Sequence, residues 1–407
     1  MRLSPPACRA GVLHVTQPVD GGVARVVADL ARDQVARGMR VEVACPESRL
    51  AAELRSLGAR VHPWPATRSP GPALAGEVRR LARIVAEARP DLVHAHSAKA
   101  GLAGRLAVRG RVPTVFQPHA WSFEAVDGRT ATLARDWERW AARWTARTVC
   151  VSEAERRRGE RAGVRGPWSV VPNGVDTDRF RPVPATGADA ETPAGPSPAR
   201  PAPGGPLVVC VGRLCRQKGQ DVLLAAWRRV SARLPGARLA LVGDGPDRAR
   251  LAGAAPASVL FAGNAPDPLP WYRAADLVVL PSRWEGMALA PLEALACARP
   301  VVVTDVDGAR ESLPAALAPY GLVPAGDPFA LARAMTTLLA NAPLLAALGR
   351  EGREHVLSTH DVRHTARSVA AVYREVLDGP APRRRVPSGG TAHGPSVSTD
   401  SREAVSS

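Results

Sequence analysis

Short Val- and Leu-rich runs alternate with longer Ala- and Arg-rich stretches along most of the chain, and few folds accept that pattern. Gly11–Val15, Val41–Cys45, Leu92–His96, Thr114–Gln117 and Thr148–Val151 are apolar runs of strand length. The stretches between them carry helical spacing: Val23, Val26, Val27 and Leu30 fall at i, i+3, i+4 and i+7 and make one apolar face. Strands separated by helices pair in parallel, with helices on both faces of the sheet. The pattern stops, restarts at Leu207, and continues through Leu239–Val242, Val259–Phe261, Leu277–Leu280 and Val301–Val303. Two doubly wound α/β domains are therefore expected, with ligands bound in the cleft outside the carboxyl ends of their strands.

The break is dense in Pro, Ala and Gly from Pro182 to Pro206, too poor in large apolar residues to pack, and reads as a linker with an insertion. The expected organisation is a first domain over 1–172, a linker over 173–206, a second domain over 207–360, a helix over 361–378, and a disordered tail over 379–407. A chain of 407 residues suits two or three domains at about 150 residues each. Apolar stretches end well short of the ~18 residues a membrane helix needs, and the amino terminus lacks a continuous apolar signal region. Six scattered cysteines without a Cys-x-x-Cys pair imply reduced thiols and no zinc site. A cytoplasmic protein is expected. The net charge of +16, concentrated in the first half, suits an anionic membrane surface or a phosphate-bearing partner. No nucleic-acid-binding signature accompanies it, so no nucleic acid partner is expected.

Chemistry concentrates after the run Leu277–Leu280. Glu285 sits in a Gly-containing turn and Glu293 lies eight residues on, beyond a helix start. The free N–H groups of Ala288, Leu289 and Ala290 make that start an anion site, and Pro291 is tolerated in the first turn. Carboxylates beside such a site suit sugar or ribose hydroxyls rather than phosphate. A second clue is lysine scarcity: among 54 Lys and Arg residues only Lys99 and Lys218 are lysine. Lys218 follows Arg213 in a loop after a strand, where a mobile ammonium and a planar guanidinium can grip a diphosphate.

Gly212-Arg213-Leu214 with Lys218-Gly219, Glu285 with Glu293, Pro172-Asn173-Gly174-Val175-Asp176, and Gly21-Gly22 together resemble glycosyltransferase family 4, over about residues 11–378. These are retaining, nucleotide-sugar-dependent enzymes of the GT-B fold, in which two Rossmann-like domains face a central cleft. The resemblance implies that Arg213 and Lys218 bind the donor diphosphate, Glu293 the ribose and Glu285 the transferred sugar. The helix start at Met287, Ala288 and Leu289, with Gly22 opposite, then completes the donor site. Without a third glycine at dinucleotide spacing, Gly21-Gly22 does not suggest NAD. No cofactor is expected.

The resemblance also places His119, at the end of a strand, against the donor sugar, and Trp121 beside it is a candidate acceptor contact. The loop His96-Ser97-Ala98-Lys99-Ala100-Gly101 faces the acceptor side in similar members, which nominates Lys99 as an acceptor-phosphate contact. His94 and His96 share one strand face and could pair on a metal, but no third ligand is evident and a structural role is the preferred reading. Asp305-Val306-Asp307 mimics the metal motif of another glycosyltransferase fold; here it reads as a loop opening toward Glu311, with no metal. Asp307-Gly308 in place of Gly-Gly, Ala298-Arg299 before the Pro-Val-Val strand, and Met287 in place of Phe depart from the family pattern and bear on donor identity. Trp137, Trp140 and Trp144 at helical spacing read first as a core stripe and second as a membrane-contacting face.

The implied reaction is hexosyl transfer with retention from a UDP- or GDP-type sugar to a saccharide or lipid-linked acceptor of an envelope or exopolysaccharide glycan. Contact with an anionic membrane, at the inner face, is the accompanying expectation. No opposite-face carboxylate for a double displacement stands out in the sequence. A nucleotide-sugar isomerase (epimerase) and a non-catalytic nucleotide-sugar-binding protein are the alternatives.

Overall fold

The computed structural model describes residues 10–183 and 205–379; the Pro-rich insertion and the carboxyl-terminal tail lie outside them. The first sheet contains β1 (Gly11–Thr16), β2 (Arg40–Cys45), β3 (Arg60–Pro63), β4 (Leu92–His96), β5 (Thr114–Gln117), β6 (Arg147–Cys150) and β7 (Trp168–Val170). The second contains β8 (Leu207–Val211), β9 (Arg238–Val242), β10 (Val259–Gly263), β11 (Leu277–Leu280), β12 (Val301–Thr304) and β13 (Leu322–Val323). The orders are β3-β2-β1-β4-β5-β6-β7 and β10-β9-β8-β11-β12-β13, with every pairing between these strands parallel.

Each central strand is buried on both faces, which is why its sequence is a continuous apolar run rather than an alternating one. Strand order reverses between β1 and β4 in the first sheet and between β8 and β11 in the second. At such a switch neighbouring connections leave in opposite directions and open a crevice. Gly21-Gly22 and His96 follow the first pair, while Arg213, Lys218 and Glu285 follow the second.

The last helix, Val362–Asp378, packs on the first domain. Asp361 caps it by accepting from Arg363 N at 2.8 Å. Its buried face carries Val369, Val372 and Tyr373, and the Tyr373 hydroxyl reaches His94 Nδ1 at 2.6 Å. Val175 of the connecting segment bridges to Asp361.

Candidate active site

In the second domain two loops are pressed together. Gly219 has φ +67, and a Cβ there would stand 2.0 Å from Pro281 O, so only glycine lets the turn after β8 settle on the end of β11. Arg283 clasps Asp221 through both guanidinium nitrogens (2.9 and 2.7 Å) and its amide donates to Gln217 O at 2.7 Å. That packing brings Lys218 Nζ to 2.6 Å from Glu285 Oε1, where Ser282 Oγ also donates at 2.7 Å. Lys218 and the buried Glu285 thus form one group. Arg213 is half-buried, with its carbonyl held by Gln220 at 2.9 Å. Across the cleft is Arg68, whose guanidinium is pushed down by desolvation and then by the like charge of Arg213.

The following helix, Leu289–Ala296, begins at Ala288 in extended conformation without a side-chain cap, leaving its first amides for an incoming acceptor. Gly22 lies over it: a Cβ there would stand 3.7 Å from the Leu289 side chain. Glu293 faces elsewhere. Tyr272 Oη donates to its Oε2 at 2.7 Å, and burial pushes its carboxyl up. It lines a cavity of about 210 Å³ with Arg25, Asp29 and Arg32 of the helix after Gly21-Gly22 and with Val175, Asp176, Arg179 and Phe180. Glu285 and Glu293 therefore look into different spaces. The Arg25, Asp29 and Arg32 contribution was missed from sequence, although their i, i+4, i+7 spacing after the glycines is a usable signal.

Opposite Glu285 the backbone is strained. His119 has φ +54 and Ala120 φ +93, values that cost non-glycine residues energy and persist only where the surroundings enforce them. Glu155 does so, accepting from Ala120 N at 2.6 Å and Val151 N at 2.7 Å. Gly286, next to Glu285, packs into this turn: a Cβ there would lie 2.8 Å from Glu155 Oε1 and 2.9 Å from Ala120 N. Ser152 Oγ donates to Gly286 O (2.9 Å), and Asn173 Nδ2 to Met287 O (2.8 Å). Glu311 of the second domain accepts from Glu153 N and Ala154 N (2.7 and 2.9 Å), capping the first-domain helix Glu153–Arg161. Asp307 pairs with Arg158. Burial pushes Glu124 and Glu155, beside this contact, up to about 7.

Behind His119 lies a buried group that the sequence showed only in part. His14 on β1 is in register with His94 on β4, so the His94–His96 pair gains a third imidazole, and nitrogens of the three converge within 4.8 Å. His14 Nδ1 is 3.0 Å from His96 Nε2, and His96 Nδ1 is 3.2 Å from His119 Nε2. Burial lowers His14 to about 4 and His119 to about 3, and holds His94 and His96 well below their ordinary value, so all four rings are neutral near pH 7.

Three expectations change. Lys99 is not a free acceptor-side cation: it is buried, its ammonium 2.6 Å from Glu77 Oε2 and 3.2 Å from Ser69 O, pinning the loop that carries Arg68. Trp121 is likewise inside, its indole donating to Glu155 O at 2.8 Å, so it supports the His119 turn rather than lining the cleft. The Trp137, Trp140 and Trp144 stripe is not a core feature. Trp140 is 41% exposed, with Arg143 over its ring, and Leu133, two turns away, is 69% exposed. The side chains of Asp305 and Asp307 pair with Arg310 and Arg158.

Two parallel-sheet domains whose switch points meet across a cleft define a GT-B protein. HepE of Anabaena, crystallised with UDP and glucose, has this fold with a TM-score of 0.74 at 21% identity, over 90% of this chain and 100% of that one. The model of Glycosyltransferase Family 4 matches residues 20–179, and that of glycosyl transferases group 1 matches residues 205–341. The GDP-mannose-dependent alpha-(1-6)-phosphatidylinositol monomannoside mannosyltransferase of Mycobacterium tuberculosis is 32% identical over 321 residues, 74% of this chain and 80% of that protein. The lipopolysaccharide core biosynthesis mannosyltransferase LpsB of Rhizobium meliloti is 35% identical over 226 residues, 52% of this chain but only 62% of that protein. The chain belongs to glycosyltransferase family 4.

Proposed function

We propose that this protein transfers a hexosyl group, with retention, from a UDP- or GDP-type sugar to a saccharide or lipid-linked acceptor of the cell envelope. The observation carrying this reading is the seating of Gly286 against Ala120, which brings the turn of Glu285 up to the turn of His119. The donor diphosphate lies along Arg213, Lys218 and the open helix start at Met287, Ala288 and Leu289, with Gly22 opposite. As negative charge builds on the leaving phosphate, the cations and the amides stabilise it. Lys218 turns from Glu285 to the diphosphate, which frees a Glu285 oxygen to accept from sugar hydroxyls, while Glu293 takes the ribose. His119 contacts the sugar from the first domain. The envelope assignment follows the printed activities of the relatives, one acting in lipopolysaccharide core synthesis and one on a phosphatidylinositol mannoside.

The test is calorimetry with UDP, GDP and ADP, followed by transfer assays with the sugars of whichever base binds and anomer analysis of the product. Binding of one nucleotide, weakened about tenfold or more in Lys218→Ala, is expected for a diphosphate contact of this kind. Absence of binding, or a product of inverted configuration, rejects the reading. Sugar isomerisation without any acceptor supports the epimerase alternative instead.

A further inference from the structure

The polar chain behind His119 takes its direction from Gln34. Gln34, on the helix Gly21–Ala36, places its Oε1 2.8 Å from His14 Nε2. A carboxamide oxygen accepts only, so with Oε1 facing His14 it is His14 Nε2 that carries the hydrogen. A neutral imidazole has one N–H, which leaves His14 Nδ1 bare. His96 Nε2, 3.0 Å away, must then be the donor, and its Nδ1 is bare in turn. His119 Nε2, 3.2 Å from that nitrogen, donates to it, and His119 Nδ1 is left as an acceptor. Beside this chain, Tyr373 Oη and His94 Nδ1 are hydrogen-bonded at 2.6 Å.

We propose that Gln34, His14 and His96 are positioning residues that hold His119 in the Nε2–H tautomer, so that its bare Nδ1 is the nitrogen available to a sugar hydroxyl. This deepens, and rests on, the reading of His119 as the residue that meets the sugar. The buried group lies beneath the sheet end rather than in the cleft, yet it decides whether His119 accepts or donates there. This chain of tautomers and a metal ion shared by His14, His94 and His96 are alternatives, because a ligating nitrogen must be bare, and metal content separates them.

The full chain labelled with ¹⁵N-histidine, read by two-bond ¹⁵N–¹H correlation near pH 7.5, reports each tautomer without substrate. Nε2–H rings are expected at His14, His96 and His119. In Gln34→Leu the His119 signals should move toward a tautomer mixture. Transfer assays supply the functional arm: His96→Ala is expected to lower kcat about tenfold to a hundredfold, the range seen when the partner orienting an active imidazole is lost. Donor KM should stay within about twofold, since the diphosphate and ribose contacts are untouched. His96→Asn, which returns an acceptor near the Nδ1 position, should recover most of the loss if unfolding is not its cause. An Nδ1–H His119 in the wild type, stoichiometric bound metal in the purified protein, or an unchanged kcat in both Gln34→Leu and His96→Ala overturns the proposal. A wild type with the stated tautomers but no transfer from any sugar counts against the function reading alone.

Discussion

At the scale of single residues, the two lysines show how one side chain type is put to opposite uses. Both stand out in an arginine-rich chain for the same compositional reason. Lys99 is enclosed with Glu77, side chains 3% and 5% exposed; burial would raise the Glu77 carboxyl, but Lys99 and Thr67 bring it below its ordinary value. Removing one partner leaves the other charge buried alone, so Lys99→Met is expected to destabilise the protein by roughly 3–5 kcal/mol in urea unfolding. Lys218 stands at the cleft, 20% exposed, with Glu285 also held by Ser282, and Lys218→Ala should weaken nucleotide binding. Scarcity marked both lysines from sequence. Their division of labour depends on Glu77 and Glu285, which reach them from other elements.

At the scale of elements, the central strands were legible because burial on both faces makes them uninterrupted apolar runs. The strands missed were β3, β7 and β13, all at sheet edges. Arg60–Pro63 and Trp168–Val170 are only partly buried, and Leu322–Val323 is too short to show a period. The helix Gly128–Ala141 was legible as a helix, but its Trp spacing did not reveal which face would be covered. Leu133 and Trp140 stay exposed among Arg129, Arg135 and Arg143, a composition suited to a headgroup region. Leu133→Asp with Trp140→Asp should shift stability by no more than about 1 kcal/mol, since each side chain is on the surface. If this face meets a membrane, the variant loses most sedimentation with anionic vesicles; unchanged sedimentation rejects the contact. No single helix among the described residues is long and apolar enough to span a bilayer.

At the scale of the molecule, the two domains are held by few but specific bonds. Glu311 caps a helix of the other domain, and Asp307 holds Arg158. A carboxylate at a helix amino terminus contributes about 0.5–2 kcal/mol, so Asp307→Ala with Glu311→Ala is expected to loosen the cleft, seen as a larger radius of gyration in X-ray scattering, without unfolding either sheet. Acid should act on the whole fold through the histidines. The unfolded chain binds protons at imidazoles near pH 6.5, whereas the folded protein keeps His14 neutral down to about 4 and His119 to about 3, and burial holds His94 and His96 well below their ordinary value. The unfolded state therefore binds more protons in that window, and stability falls as pH drops from about 6.5 toward 4. Glu124 and Glu155, raised to about 7, act in the opposite sense, adding stability below their unfolded values that fades as pH rises through 7. In His14→Gln the dependence between pH 6.5 and 4 should shallow by about 1.4 kcal/mol per pH unit, measurable from chemical denaturation across that range.

The sequence alone determined the doubly wound class, the restart of the second sheet at Leu207, and the motif residues Arg213, Lys218, Glu285 and Glu293, because strand burial and loop chemistry are local and leave local patterns. Tertiary structure decided what each group faces. The β1–β4 register set His14 beside His94, a turn from the other domain came to rest on His119 and Ala120, and Glu285 and Glu293 opened onto separate spaces. Those outcomes depend on contacts between residues tens to hundreds of positions apart, and no local spacing encodes such distances.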